Sequence, residues 1–176
     1  AASVFGQVPI ALILSIVLWR TTWFQKFVRS AIFMPLVLSS VVIGLIWGFI
    51  YHPQMGVLNA VLELLGLEHM TRAWLSDPNV AIYYLTLPII WNFIGLYMII
   101  FVAALQNIPS EIDDSVKLDG PGFFTRLFYI KLPLIWDTIK VAVILCISGS
   151  LKAFDLVIVM TGGGPAHATE LLATYM

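Results

Sequence analysis

The chain has 176 residues, 60% of them hydrophobic and 11% charged, with a net charge of −1. With a mean hydropathy of +0.96, that composition excludes a soluble globular domain and describes a polytopic membrane protein. The near-neutral balance gives no reason to expect a nucleic-acid partner, and a single cysteine, Cys146, rules out a disulfide framework or a cysteine metal site.

In chain order, residues 1–19, 31–51 and 78–110 carry no charge, and residues 141–160 are interrupted only by Lys152 and Asp155. A helix needs about 20 residues to cross a bilayer core, so the expected fold is an all-α, polytopic transmembrane helical bundle. About four full spans are expected, near residues 4–19, 31–51, 80–105 and 139–160. Arg20, Lys26 and Arg29 fall in the first loop and Lys117, Arg126, Lys131 and Lys140 in or beside the third, whereas the second holds only Arg72. Loops one and three are therefore expected on the cytoplasmic side.

Pro35 and Pro88 sit early in the second and third spans, where each kinks the helix and frees a carbonyl that a neighbour must satisfy. Gly44 and Gly48 form a small-xxx-small pair that permits close helix approach. The loop from His52 carries turn signals at Pro53, Gly56, Gly66 and Asp77-Pro78 around an amphipathic VLNAVLELLG, which predicts a short helix on the outer interface. His52, His69 and His167 stand singly, without a second ligand at metal spacing, and Cys146 reads as a packing residue. Gly162-Gly163-Gly164-Pro165 lacks the Lys of a phosphate-cradling loop and reads as an external turn.

Solute contacts within the membrane have several candidates. Ser39 and Ser40 lie halfway along the second span, and Trp91, Asn92 and Tyr97 halfway along the third; they either line a translocation path or make interhelical hydrogen bonds and pack. Lys152 and Asp155, three apart, share a helix face and offset each other's desolvation, as a cavity-facing or a purely structural pair.

The densest local pattern is IPSEIDDSVKLDGPGFFTRLFYIKLP, Ile108 to Pro133. Ser110 with Asp113 makes a capping box, Glu111, Asp113 and Asp114 suit the positive end of a helix dipole, and Gly120-Pro121 stops the helix. The predicted helix begins at Ser110 and ends near Asp119; at about ten residues it is too short to stand alone in water and needs a docking partner. Phe124, Leu127 and Phe128 then recur at helical spacing, as in a segment lying on the cytoplasmic interface.

This stretch resembles the cytoplasmic EAA loop of membrane subunits in binding-protein-dependent ABC importers. MPLVLSSVVIGLIWGFIYHPQMGVLNAVLELLGL, WLSDPNVAIYYLTLPIIWN and LKAFDLVIVMTGGGPAHATE extend the resemblance to carbohydrate permeases of the maltose type over nearly the whole chain. The Glu-Ala-Ala of the family falls on Asp114-Ser115-Val116 and its Asp-Gly-Ala on Asp119-Gly120-Pro121, both altered, while Ile130, Leu132 and Pro133 match its ending. The resemblance implies one permease domain over residues 1–176, a fragment of a longer chain, whose loop 108–133 carries a coupling helix. It further implies that Glu111, Asp113, Asp114, Ser115, Val116, Asp119 and Gly120 transmit force from separate ATPase subunits, which hold the ATP and Mg. A second permease, an extracytoplasmic solute-binding protein, a sugar substrate, surrounding lipid and a bacterial inner membrane complete the implied setting. An integral-membrane enzyme would need acids or histidines gathered at one depth, and a passive channel or scaffold would have no use for a docking helix.

Overall fold

The structure is a computed structural model that describes residues 2–20, 22–78, 80–109, 111–112, 122–151 and 154–164. The chain folds into two compact units, one from Ser3–Met34 with Phe93–Ile147, the other from Pro35–Asn92 with the segment starting at Ser148. Among the described residues every regular element is helical: α1 (Ala2–Leu18), α2 (Trp23–Phe33), α3 (Ser40–Ile50), α4 (Val57–Leu64), α5 (Ala81–Gln106), α6 (Phe123–Arg126), α7 (Leu132–Leu134), α8 (Trp136–Leu151) and α9 (Phe154–Thr161). A 3₁₀ turn, Met34–Val37, precedes α3, and a π-helical turn, Leu127–Lys131, links α6 to α7.

Helix α5, with 26 residues, is long and apolar enough to cross a membrane by itself. Its length is about 39 Å at about 1.5 Å per residue, against about 30 Å of hydrocarbon. Helix α1, at 17 residues, is shorter, and the number of described spans rises to three only if Trp23–Val37 with Ser40–Ile50, and Trp136–Ser150 with Asp155–Thr161, each count as one broken span. Four unbroken spans are thus not what these residues form. The reason lies in the backbone at Ser39, which is extended (φ −67°, ψ 149°) and interrupts the run expected to be one helix over 31–51. Pro35, which lacks an N–H, falls within the 3₁₀ turn just before.

In the first unit, α1, α2 and the C-terminal half of α5 pack with α8 around Val8, Ala11, Met98, Phe101, Ala142 and Cys146. One polar line crosses this core: the Cys146 thiol donates to Gln7 Oε1 (3.1 Å) and Gln7 Nε2 donates to Ser3 Oγ (2.8 Å), so the buried amide is satisfied. Residues 20–30, read as a loop from their charges, are largely helix: the Thr22 hydroxyl caps α2 by accepting from Gln25 N. Helix α2 closes tightly on α5, because a Cβ at Gly95 would lie 2.5 Å from the Ile32 carbonyl oxygen.

The C-terminal end of α1 is tied by side chains. Four successive carbonyls there accept: Val17 from Gln25 Nε2 (3.1 Å), Leu18 from Arg29 Nε (2.8 Å), Trp19 from Gln106 Nε2 (2.8 Å), and Arg20 from Arg29 Nη2. The last two carbonyls of α1, orphan acceptors of a helix end, and the two that follow them thus find side-chain donors on α2 and α5.

In the second unit, α3 lies against α9 at Gly44, where an added Cβ would come 2.7 Å from Val159 Cγ1. Gly48, its expected companion, has nothing within 4 Å. The predicted short helix of the second loop is present as α4. Its Asn59, 4% exposed, is a four-way knot: Nδ2 donates to Pro53 O (2.9 Å) and Arg72 O (3.1 Å), and Oδ1 accepts from Trp74 Nε1 (2.8 Å) and Arg72 N (3.4 Å). His52 Nδ1 caps the turn before it by accepting from Gln54 N and Met55 N.

Candidate functional site

Pro88 cannot donate to the carbonyl four residues earlier, so Tyr84 O is left open inside α5; the Tyr51 hydroxyl, at the end of α3, donates to it at 3.0 Å. That bond ties α3 to the N-terminal half of α5 and sets up a chain of rings. Trp91 meets Trp47 edge-on (centroids 6.1 Å apart), Trp47 meets Tyr51 (5.3 Å), Tyr51 meets Tyr84 (6.1 Å) and Tyr84 meets Trp74 (5.1 Å). Tyr51 and Trp74 are buried, whereas Trp91 leaves 37% of its surface exposed. On the same helix as Trp91, the Asn92 amide oxygen is buried and has no hydrogen-bond partner among the described residues. An unmet buried acceptor is costly unless something fills its lone pairs.

Ser39 and Ser40 take different roles. Ser39 is the N-cap of α3, its hydroxyl accepting from Val42 N at 3.3 Å, while the Ser40 hydroxyl donates to Asp155 Oδ2 at 3.3 Å. Asp155, in the first turn of α9, was expected to pair with Lys152; Lys152 lies outside the described residues, and the described partner of Asp155 is a serine 115 positions away in sequence. The second unit therefore carries Ser39, Ser40, Trp91, Asn92 and Asp155. Tyr97 belongs to the first unit, buried (3% exposed) in the core that also holds Cys146.

Of the expected coupling residues, Glu111 is described: it is exposed and opens a helical turn with Ile112, whose N–H donates to Pro109 O at 3.1 Å. Asp113, Asp114, Ser115, Val116, Asp119 and Gly120 lie outside the described residues, as do Ser110 and the predicted helix end. Beyond them Phe124 and Phe128 are exposed and Leu127 is buried, in keeping with a segment that buries one side. Gly162 and Gly163, with φ of +57° and +87°, close α9, Gly162 N donating to Val157 O and Ile158 O.

The Asn59 knot, the Tyr51–Tyr84 bond and the Ser40–Asp155 bond escaped the sequence reading. For the second a signal existed, in the carbonyl that Pro88 must free; for the other two a lone polar residue gives no hint of its distant partner. Among the described residues no three His, Cys, Asp or Glu side chains gather to hold a metal. The arrangement offers recognition chemistry: an open amide acceptor, an exposed indole and a hydroxyl–carboxylate pair.

A helical membrane protein with recognition groups along short, broken helices fits a transport component. Residues 7–175 match the family described as binding-protein-dependent transport system inner membrane component, and the chain belongs to that family. The family is a component of transport systems, not a class of enzymes. The chain is 35% identical over 173 residues to the probable ABC transporter permease protein YurN of Bacillus subtilis, covering 98% of this chain and 59% of that relative. It is 37% identical over 146 residues to the diacetylchitobiose uptake system permease protein NgcF of Streptomyces coelicolor, covering 82% of this chain and 41% of the relative. Its fold matches a chain in the crystal structure of a bacterial alginate ABC transporter in complex with an alginate pentasaccharide-bound periplasmic protein, with a TM-score of 0.86 at 22% identity, over 98% of this chain and 60% of that one. The chain thus spans about three fifths of the length of YurN and of the alginate transporter chain.

Proposed function

We propose that this chain is the core of the membrane permease subunit of an ATP-driven importer for a sugar or sugar-like solute, acting in a bacterial inner membrane. The observation that carries the proposal is the family match across residues 7–175, joined by a similar permease whose name specifies diacetylchitobiose uptake. Sugars are recognised by hydrogen bonds to hydroxyls and by flat apolar faces. Asn92 Oδ1 supplies an open buried acceptor and Trp91 an exposed indole on one helix, with Ser39, Ser40 and Asp155 in the same unit.

ATP and Mg belong to separate ATPase subunits, into which the segment containing Glu111, Asp113, Asp114, Ser115, Val116, Asp119 and Gly120 docks. Closure of the ATPases moves that segment, and the permease, with a second permease subunit, rocks so that its cavity faces outward and inward in turn. A solute-binding protein delivers the sugar from outside, and Lys152 completes the proposed set of path residues.

The test is uptake into vesicles holding the full-length protein with its ATPase and companion permease, across a panel of labelled sugars with the binding protein supplied. ATP-dependent accumulation of at least one sugar is expected, and Asp119→Lys should abolish it while the protein still inserts. ATP-independent equilibration in both directions would instead make the protein a passive channel.

A further inference from the structure

We propose that a cationic cavity in the first unit is a seat for the phosphate of an anionic phospholipid headgroup. The cavity, about 260 Å³, is lined by Trp19 and Arg20 after α1, Leu105 near the end of α5, and Arg126, Leu127 and Lys131 from α6 and the π-helical turn. Three of these carry positive charge, and no acid is among the described lining residues. That volume is many times the roughly 10–15 Å³ that a cavity needs to hold one water, leaving room for a phosphodiester.

No hydrogen bond or ion pair engages the Arg20 or Arg126 guanidinium among the described residues, whereas Lys131 Nζ sits 3.9 Å from the centroid of the Trp19 ring. The Trp19 and Arg20 backbone is fixed by the bonds from Gln106 and Arg29, so this edge is set before any ligand arrives.

Position selects a lipid. The cavity lies where the charge-free run of α1 ends and where the apolar stretch of α5 gives out, the level at which hydrocarbon yields to headgroups. Both contributing loops are the basic ones, and basic pockets between membrane helices on the cytoplasmic side suit anionic headgroups. Phe124 (71% exposed) and Phe128 (59% exposed), flanking Arg126 and Leu127, offer ring surface to acyl chains. A soluble anion or an acidic protein segment would have no use for those rings. The proposal rests on the membrane family and not on the nature of the transported solute.

Native mass spectrometry of the assembled importer, reconstituted in phosphatidylcholine with or without phosphatidylglycerol, tests it without any transport assay. Phosphatidylglycerol should be retained in preference to phosphatidylcholine, and excess inorganic phosphate should not displace it. Arg20→Ala with Arg126→Ala should lower retention about 30-fold, and Arg126→Gln alone about fivefold, which keeps the test readable if the double variant does not assemble. Arg20→Lys with Arg126→Lys should restore most of it, and Lys140→Ala, whose lysine pairs with Asp137 away from this lining, should leave it unchanged. Equal retention of both lipids, unaltered retention in the double variant, displacement by inorganic phosphate, or crosslinking of Arg126→Cys to an ATPase subunit instead of lipid would each overturn the proposal.

Discussion

The two units hold themselves together by different means. The first relies on long helices whose apolar side chains interlock, with one buried polar line, Ser3–Gln7–Cys146, and a close backbone approach at Gly95. The second is built from short pieces, α3, α4, α9 and half of α5, and depends on individual hydrogen bonds and ring contacts at Asn59, Tyr51 and Trp74. Short helices bury too little surface to be stable alone, so specific polar ties must supply what continuous packing supplies elsewhere. Damage should therefore be concentrated at single donors and acceptors in the second unit and at packing volume in the first.

The sharpest way to break that contrast is Asn59→Ala. It deprives Trp74 Nε1, Arg72 N and two carbonyls of their partner at once, and should destabilise the full-length protein by about 3 kcal/mol, read as a lowered Tm in detergent. A loss no larger than that of an exposed substitution would mean the knot is not a support. Next comes Gly95→Ala in the first unit, where the added methyl meets the Ile32 carbonyl; overpacking against backbone should cost about 2 kcal/mol, and a neutral result would show that α2 and α5 separate freely. Tyr51→Phe keeps the ring contacts and removes the donor to Tyr84 O. It should cost about 1 kcal/mol, and adding Pro88→Ala, which returns an N–H to that carbonyl, should recover the loss. Smallest is Gly48→Ala, which meets nothing within 4 Å and should be neutral or stabilising by up to about 1 kcal/mol, in contrast to a loss for Gly44→Ala against Val159.

What the residues disclosed in advance follows the same division. Apolar length announced α5, expected over 80–105 and found as Ala81–Gln106, and amphipathic spacing announced α4. The demand that Pro88 places on a neighbour was legible, though Tyr51 as that neighbour was not. Helix α2 was missed because Lys26 and Arg29 were weighed as loop charges, while Thr22 as a cap and the apolar spacing of Phe24, Val28 and Ile32 argued for helix. A kink in the second span was expected from Pro35, but its full break at Ser39 was not, since an unbroken apolar run says nothing about backbone continuity. Of the candidate site, Ser40 and Asp155 were each named but not joined, because a bond across 115 residues leaves no local trace. Asn92 and Trp91 were named from their depth in the span alone.

Arg29 serves two masters. As one of three basic residues between the end of α1 and the end of α2 it helps sort which side of the bilayer that segment occupies, a task any cation performs. As a planar fork it also reaches Leu18 O and Arg20 O together, a task that lysine, a single point donor, performs poorly. Arg29→Lys should therefore leave topogenesis intact while the rim at Trp19 and Arg20 loosens, separating the insertion of this protein from the finishing of its shape.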